Sequence, residues 1–332
     1  MESTDSQVYL CHSDDDGKSW STPTTLHDKL PAYTETCRIS CMKDGEVVLL
    51  LSESERLDPR VGATNPKNLG HVPTKLSLFR SNDAGIIWDG PEIIEPPLVG
   101  PTFELCSPIV ELSDGRWLLP TSTWRGWDGE EPNGMKAVAF VSEDRGRSWS
   151  RFVDVMNRVD ERILFWEQKI CEIDQGRLLA AAWTHVETTR SDLTNHFAVA
   201  KRDSLQFSEP EPTALCGQTP ELLHLEENRV LCVYRRTDEP GLWACIVEID
   251  SKNRWQTVYQ QCLWQPALLA ARKVGHSLVE EFRALKFGAP SLVRLDDQSI
   301  FLSFWCVEDC VSNIRWIRLR YDRNGSDDGD LN

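Results

Sequence analysis

The stretch SDDDGKSW, Ser13–Trp20, sets three consecutive aspartates and a glycine ahead of a tryptophan. A calcium loop also gathers acids around a glycine, but it needs a long ligand-bearing loop closed by a glutamate, and nothing of that shape follows Trp20. The same spacing returns as SNDAGIIW at Ser81–Trp88 and SEDRGRSW at Ser142–Trp149. Three copies of Ser, Asp, Gly and Trp at fixed offsets make an architectural element rather than a metal loop. In each, the aspartate can accept hydrogen bonds from turn amides, the glycine permits positive φ and the tryptophan can pack between sheets. Two weaker copies, KRDSLQF at Lys201–Phe207 and IDSKNRW at Ile249–Trp255, keep an acid and an aromatic but lose the glycine.

A second pattern interleaves with the boxes: an apolar segment, a turn and another apolar segment. It appears as ISCMKDGEVVLLL, IVELSDGRWLLP, ICEIDQGRLLAAAW, LLHLEENRVLCVY and LVRLDDQSIFLSF, with turns centred on Gly45, Gly115, Gly176, Asn228 and Gln298. Compact turn residues between β-branched and aromatic flanks read as β-hairpins. A third strand such as TKLSLFRS or KAVAFVSE follows, and then the box. The unit is therefore four strands, a to d, and four-stranded repeats at roughly 50 to 70 residues point to a β-propeller.

The boxes after DG-type hairpins resemble the Asp-box (BNR) repeats of the sialidase (neuraminidase) superfamily, over essentially the whole chain. The resemblance implies an all-β, six-bladed propeller. Residues 7–27 supply strands c and d of a first, incomplete blade, full blades follow at about 35–98, 103–158, 165–213 and 218–264, and a last blade of three strands ends near Tyr321. The expectation is a single propeller domain over 1–322 whose first hairpin is absent, with five-bladed closure as the alternative. PALLAARKVGHSLVEEFRALK, 266–286, carries Val274, Leu278, Phe282 and Leu285 at helical spacing and reads as a short helical insertion. The acidic tail 323–332 reads as disordered.

A formal charge of −16 argues against nucleic acid, whose binding is driven by Lys and Arg, and against a membrane surface. There is no apolar run of transmembrane length and no signal-peptide pattern at MESTDSQVYL, so the expected location is the cytoplasm, unless the chain is a truncated form of an exported one. Eleven scattered cysteines without a C-x-x-C pair read mostly as buried thiols, with Cys306 and Cys310 a close pair. Neither a metal nor a cofactor is expected.

In a propeller, the loops before strand a and after strand b open on one face. That rule gathers Arg38, Trp124, Arg125, Trp127, Trp166, Glu167, His196, Arg235, Arg236, Trp305, Glu308 and Asp309. Carboxylates suit acid–base work, guanidinium suits an acidic substituent, and indole faces suit a pyranose. The expectation is a carbohydrate site, with Glu167, Glu308 and Asp309 as catalytic carboxylates and His196 as proton shuttle. Arg38, Arg125, Arg235, Arg236, Trp124, Trp127, Trp166 and Trp305 bind substrate in this reading. Sialidases use a tyrosine nucleophile, activated by a glutamate, and three arginines. The resemblance implies Glu167 for that glutamate and Arg235 for one arginine. The chain departs from the family where the tyrosine is expected, at Ala289-Pro290-Ser291-Leu292, and it lacks the hairpin that carries the first arginine. The functions left standing are a glycoside hydrolase or lyase for an acidic sugar, and a non-catalytic carbohydrate-binding propeller. An oligomer could supply the missing hairpin.

Overall fold

The computed structural model describes residues 6–28, 33–56, 58, 60–105, 107–266 and 286–322, with backbone alone at 175, 330 and 331. The helical reading of 266–286 falls almost wholly outside these residues, as does most of the tail. Residues 330–331 pair as a short strand with Tyr321–Asp322. Among the described residues the only helical turns are the 3₁₀ segments Val159–Glu161 and Asp174–Gly176. The chain divides into two compact units, Met1–Asp154 and Val155–Asn332.

The first unit opens with a ribbon of β1 (Tyr9–Leu10) and β2 (Thr24–Thr25). The first sheet follows in simple meander order: β3 (Tyr33–Cys41), β4 (Val47–Glu55), β5 (Thr74–Ser81) and β6 (Asp89–Ile93). In the second sheet, β7 (Thr102–Glu104) and β8 (Val110–Glu111) both pair with β9 (Trp117–Trp124), followed by β10 (Ala137–Ser142) and β11 (Arg151–Met156). The second unit carries three more sheets. The third holds β12 (Ile163–Glu172), β13 (Arg177–Val186), β14 (Ser191–Asp192), β15 (His196–Lys201) and β16 (Glu211–Pro212). The fourth holds β17 (Gly217–Glu226), β18 (Arg229–Arg236), β19 (Gly241–Ile249) and β20 (Trp255–Trp264). The fifth has three strands, β21 (Phe287–Arg294), β22 (Ile300–Glu308) and β23 (Val311–Leu319), and β24 (Tyr321–Asp322) pairs with β25 (Asp330–Leu331).

These are five blade-type sheets, and the expected count of six is corrected to five. Among the described residues, the N-terminal boxed segment supplies only the two-residue strands β1 and β2, which pair with each other and form no further sheet. The ribbon instead packs on the first sheet, where Val8 joins Leu49, Leu51 and Phe79.

Within each unit, apolar side chains fill the layers between successive sheets. In the first unit, Leu50, Leu76 and Leu78 meet Phe103, Trp117, Leu119, Val138 and Phe140. In the second, the run Val230-Leu231-Cys232-Val233-Tyr234 shows why an unbroken hydrophobic stretch is a strand. Val230, Cys232 and Tyr234 pack toward the third sheet, and Leu231 and Val233 toward the fifth. Alternation sends neighbours to opposite faces, and both faces are buried.

The boxes fold as turns that satisfy themselves. Ser142 Oγ accepts from the Gly146 amide at 2.7 Å, and Asp144 Oδ1 accepts from the Ser148 amide at 2.8 Å. Ser81 with Asp83, and Ser13 with Asp15, repeat the arrangement. Left-handed pairs at Asp16–Gly17, Ala84–Gly85 and Arg145–Gly146 give the tight reversal. The indoles of Trp20 and Trp88 donate back to the box glycine carbonyls, whereas Trp149 is buried in the core.

Candidate functional site

The first strands of all three sheets of the second unit break register at the same place. The breaks fall between Trp166 and Lys169, Gln218 and Glu221, and Gly288 and Ser291. Within them Glu167, Thr219 and Ala289 stand at φ 49°, 50° and 46°. A bulge re-aims side chains, and a non-glycine residue held left-handed costs of order 1 kcal/mol, so such positions persist where the surroundings fix them. Glu167, Thr219 and Ala289 are thus structural equivalents on three successive repeats.

Arg235 lies against two of these bulges. Its side chain comes off β18, opposite Gln218 of β17. The residue is 5 % exposed. Nε and Nη2 donate to Gln218 Oε1 at 3.1 and 2.8 Å, and Nη1 donates to the Phe287 carbonyl at 3.0 Å. Gly288 makes room for it, since a Cβ there would sit 2.2 Å from Nη1. Burial pulls the guanidinium below its ordinary pKa, and the carboxylates of Glu167 and Asp192 oppose that shift. Among the described residues no carboxylate reaches ion-pair distance of Arg235. The buried pair Lys169–Glu221, 3.6 Å apart just beyond the first two bulges, does neutralise itself.

Gln218 also reaches the other way. Its Nε2 donates to Asp192 Oδ2 at 2.9 Å, and the Asp192 Oδ1 accepts from His185 Nδ1 at 2.7 Å. The His185 ring stacks on Trp166, 4.7 Å between centroids, and Trp166 meets Trp183 edge-on at 4.6 Å. One hydrogen-bonded line therefore runs His185, Asp192, Gln218, Arg235 and Phe287 across the third, fourth and fifth sheets, with Glu167 close enough to act on Arg235 electrostatically.

The structure places the sequence-derived candidates unevenly. Glu167, Trp166 and Arg235 come together in this cluster, and the half-buried Trp305 pairs with Gly288 beside it. Trp166 is 3 % exposed between Trp183 and His185, so its face supports the site from behind. Arg236, one residue on, points to the opposite face, where it stacks on Trp243 at 4.4 Å and pairs with Asp238. Hydrogen bonding to Asp238 raises its pKa. His196 packs edge-on against Phe165, its Nδ1 bonded to the Thr194 carbonyl, and burial lowers its pKa. Phe165 and Trp166 face opposite ways along β12, which sets His196 on the other side of the sheet from His185.

Glu308 is held by Arg315 at 2.6 Å. Asp309 and Cys310, at φ 50° and 64°, form the two-residue turn between β22 and β23. In the first unit Arg125 pairs with Glu131 at 2.6 Å and donates to the Asn68 carbonyl. The Trp124 indole donates to the Leu69 carbonyl, and the Trp127 carbonyl accepts from Asn65 and Asn68, so this trio ties two loops together. Arg38 donates to the adjacent Cys37 carbonyl. Tyr234 is wholly buried, and desolvation raises its pKa, which disfavours the phenolate. Asp192 escaped the sequence reading, although the same loop yielded His196. Among the described residues no group of acids, histidines and cysteines is arranged to hold a metal.

No family model matches the chain, and no curated protein matches it either. Solved structures do. A Dyadobacter fermentans protein of unknown function matches with TM-score 0.68 at 19 % identity, over 95 % of this chain and 84 % of that one. The intramolecular trans-sialidase from Ruminococcus gnavus, in complex with oseltamivir carboxylate, matches with TM-score 0.65 at 11 % identity, over 94 % and 87 %. The GH43_1 enzyme from Xanthomonas citri, complexed with xylotriose, matches with TM-score 0.51 at 11 % identity, over 89 % of each chain. The likeness shows the fold, a β-propeller of the type found in sialidases and other glycoside hydrolases.

Proposed function

We propose that this protein is a glycoside hydrolase acting on an acidic sugar, which it holds by the acid group on Arg235 and attacks with the help of Glu167. The carrying observation is the guanidinium itself: buried, bound only to neutral acceptors, and with two of its five N–H groups unengaged among the described residues. A cation withdrawn from water is costly unless a counter-charge meets it, and a ligand carboxylate is the group that fits. Glu167 stands next to that charge in a strained backbone position, as catalytic residues often do. Glycoside hydrolases with this fold make the sugar class the first choice.

A second reading, a carbohydrate-binding propeller without turnover, is favoured by Ala289. That residue occupies the bulge where the resemblance expects a nucleophilic tyrosine. Turnover of fluorogenic glycosides, including a sialoside and uronides, separates the two. Activity lost in Glu167→Gln while acid-sugar binding persists supports the hydrolase. Binding without turnover of any member supports the second reading, and neither binding nor turnover overturns both.

A further inference from the structure

Gln218 joins a cation to an anion through one amide. Its carbonyl takes two N–H bonds from Arg235, which forces its NH₂ toward Asp192, so neither end can flip without losing a partner. Asp192 is the accessible member of the line, its side chain 29 % exposed, and His185 fixes its second oxygen from behind. Each Asp192 oxygen has one hydrogen bond among the described residues and a further lone pair to offer. The hydrogen bonds and the amide between them keep Arg235 Nη2 and Asp192 Oδ2 at most about 8 Å apart. This is a matched pair: unspent N–H groups on one side and an unspent acceptor on the other.

We infer that the site selects hexuronides, sugars whose carboxylate-bearing ring carbon neighbours a hydroxyl-bearing one, with Arg235 taking the carboxylate and Asp192 the hydroxyl. The inference rests on the acidic-sugar reading and narrows it. A ligand bridging the pair side by side with Gln218 needs a negative oxygen and a hydroxyl oxygen roughly 2.5 to 3 Å apart, slightly wider than the oxygen and nitrogen of the amide. A carboxylate and the hydroxyl on the next ring carbon have that spacing. In a sialoside the ring carbon beside the carboxylate-bearing one is a methylene, and the nearest ring hydroxyl is one carbon further off. Asp192 is here a specificity residue and His185 a positioning residue, which holds the carboxylate toward the ligand.

Calorimetric titration with methyl β-D-glucuronoside, its 4-deoxy analogue and a methyl sialoside tests this on the unaltered protein, with Asp192→Asn and Arg235→Met as companions. The expected result is glucuronoside binding at least about tenfold tighter than either other sugar, since a site built to accept a hydroxyl proton rejects an analogue that lacks it. Asp192→Asn, which removes the charge and offers a donor where an acceptor stood, is expected to bring the glucuronoside and its deoxy analogue within about twofold. Equal binding of those two by the unaltered protein, or preference for the sialoside, overturns the inference while the acidic-sugar reading stands if Arg235→Met abolishes binding. Absence of binding by all three sugars overturns the reading and the inference with it.

Discussion

A guanidinium taken out of water and given only amide and carbonyl partners is incomplete, and the residues around Arg235 preserve that incompleteness. Gly288 has no side chain where one would strike Nη1. We predict that Gly288→Ala pushes the guanidinium off the Phe287 carbonyl and weakens acid-sugar binding at least about tenfold, while the melting temperature moves less than for a core truncation; titration and thermal unfolding measure the two effects. Glu167 gives a complementary test. At φ 49° a glycine is more comfortable than a glutamate. Glu167→Gly is therefore expected to leave the melting temperature unchanged or higher while turnover disappears, a trade of stability for function readable by calorimetry beside an activity assay. A marked drop in melting temperature would mean that Glu167 holds the fold rather than serves the site. Glu167 and Arg235 were candidates from the sequence because each lies at one end of a recognisable strand segment. Asp192 was not, since an acid in a polar loop carries no periodic signal and only the Gln218 amide ties it to Arg235.

Strands and turns follow a local chemistry that the chain spells out repeatedly. The hairpin centres at Gly45, Gly115, Gly176 and Gln298 have the positive φ expected of them; in the fourth hairpin it is Glu227, not Asn228, that turns left-handed. Within the boxes, Ser142 is wholly buried and serves two turn amides and Asp144. Ser142→Ala is predicted to cost about 1 to 2 kcal/mol in denaturant unfolding, because two amides lose an acceptor at once. The box carboxylates add a pH dependence. Hydrogen bonds from Ser19 and Ser148 hold Asp15 and Asp144 down to about 2, below the ordinary carboxylate value. A depressed folded pKa stabilises the fold above the unfolded value near 4 and loses that contribution as pH falls toward 2. Acid unfolding of the Asp15→Asn, Asp144→Asn double variant should accordingly be flatter over pH 4 to 2 than that of the unaltered chain. Equal slopes would contradict the assignment. Glu308 and Asp309 show the limit of reading from position alone. Both stand where a strand ends, but one is engaged by Arg315 and the other makes a two-residue turn.

At the scale of the molecule, the all-β repeat architecture was legible and its count was not. Five hairpins are spelled out, and among the described residues five blade-type sheets exist beside two short two-stranded pairs. The sixth rested on an N-terminal box whose two short strands, among the described residues, pair only with each other. Layers between sheets carry the stability, so Trp117, fully buried in the first unit's core, is predicted to cost about 3 to 5 kcal/mol on replacement by alanine, measured by denaturant unfolding. The central claim is that Arg235 waits for a ligand's acid group. Its most direct test is thermal unfolding with methyl β-D-glucuronoside and, separately, with neutral methyl β-D-glucoside, for the unaltered chain and for Arg235→Met. The account predicts that only the acidic sugar raises Tm, and only when Arg235 is present. Equal stabilisation by the neutral sugar, or an undiminished shift in Arg235→Met, would contradict it.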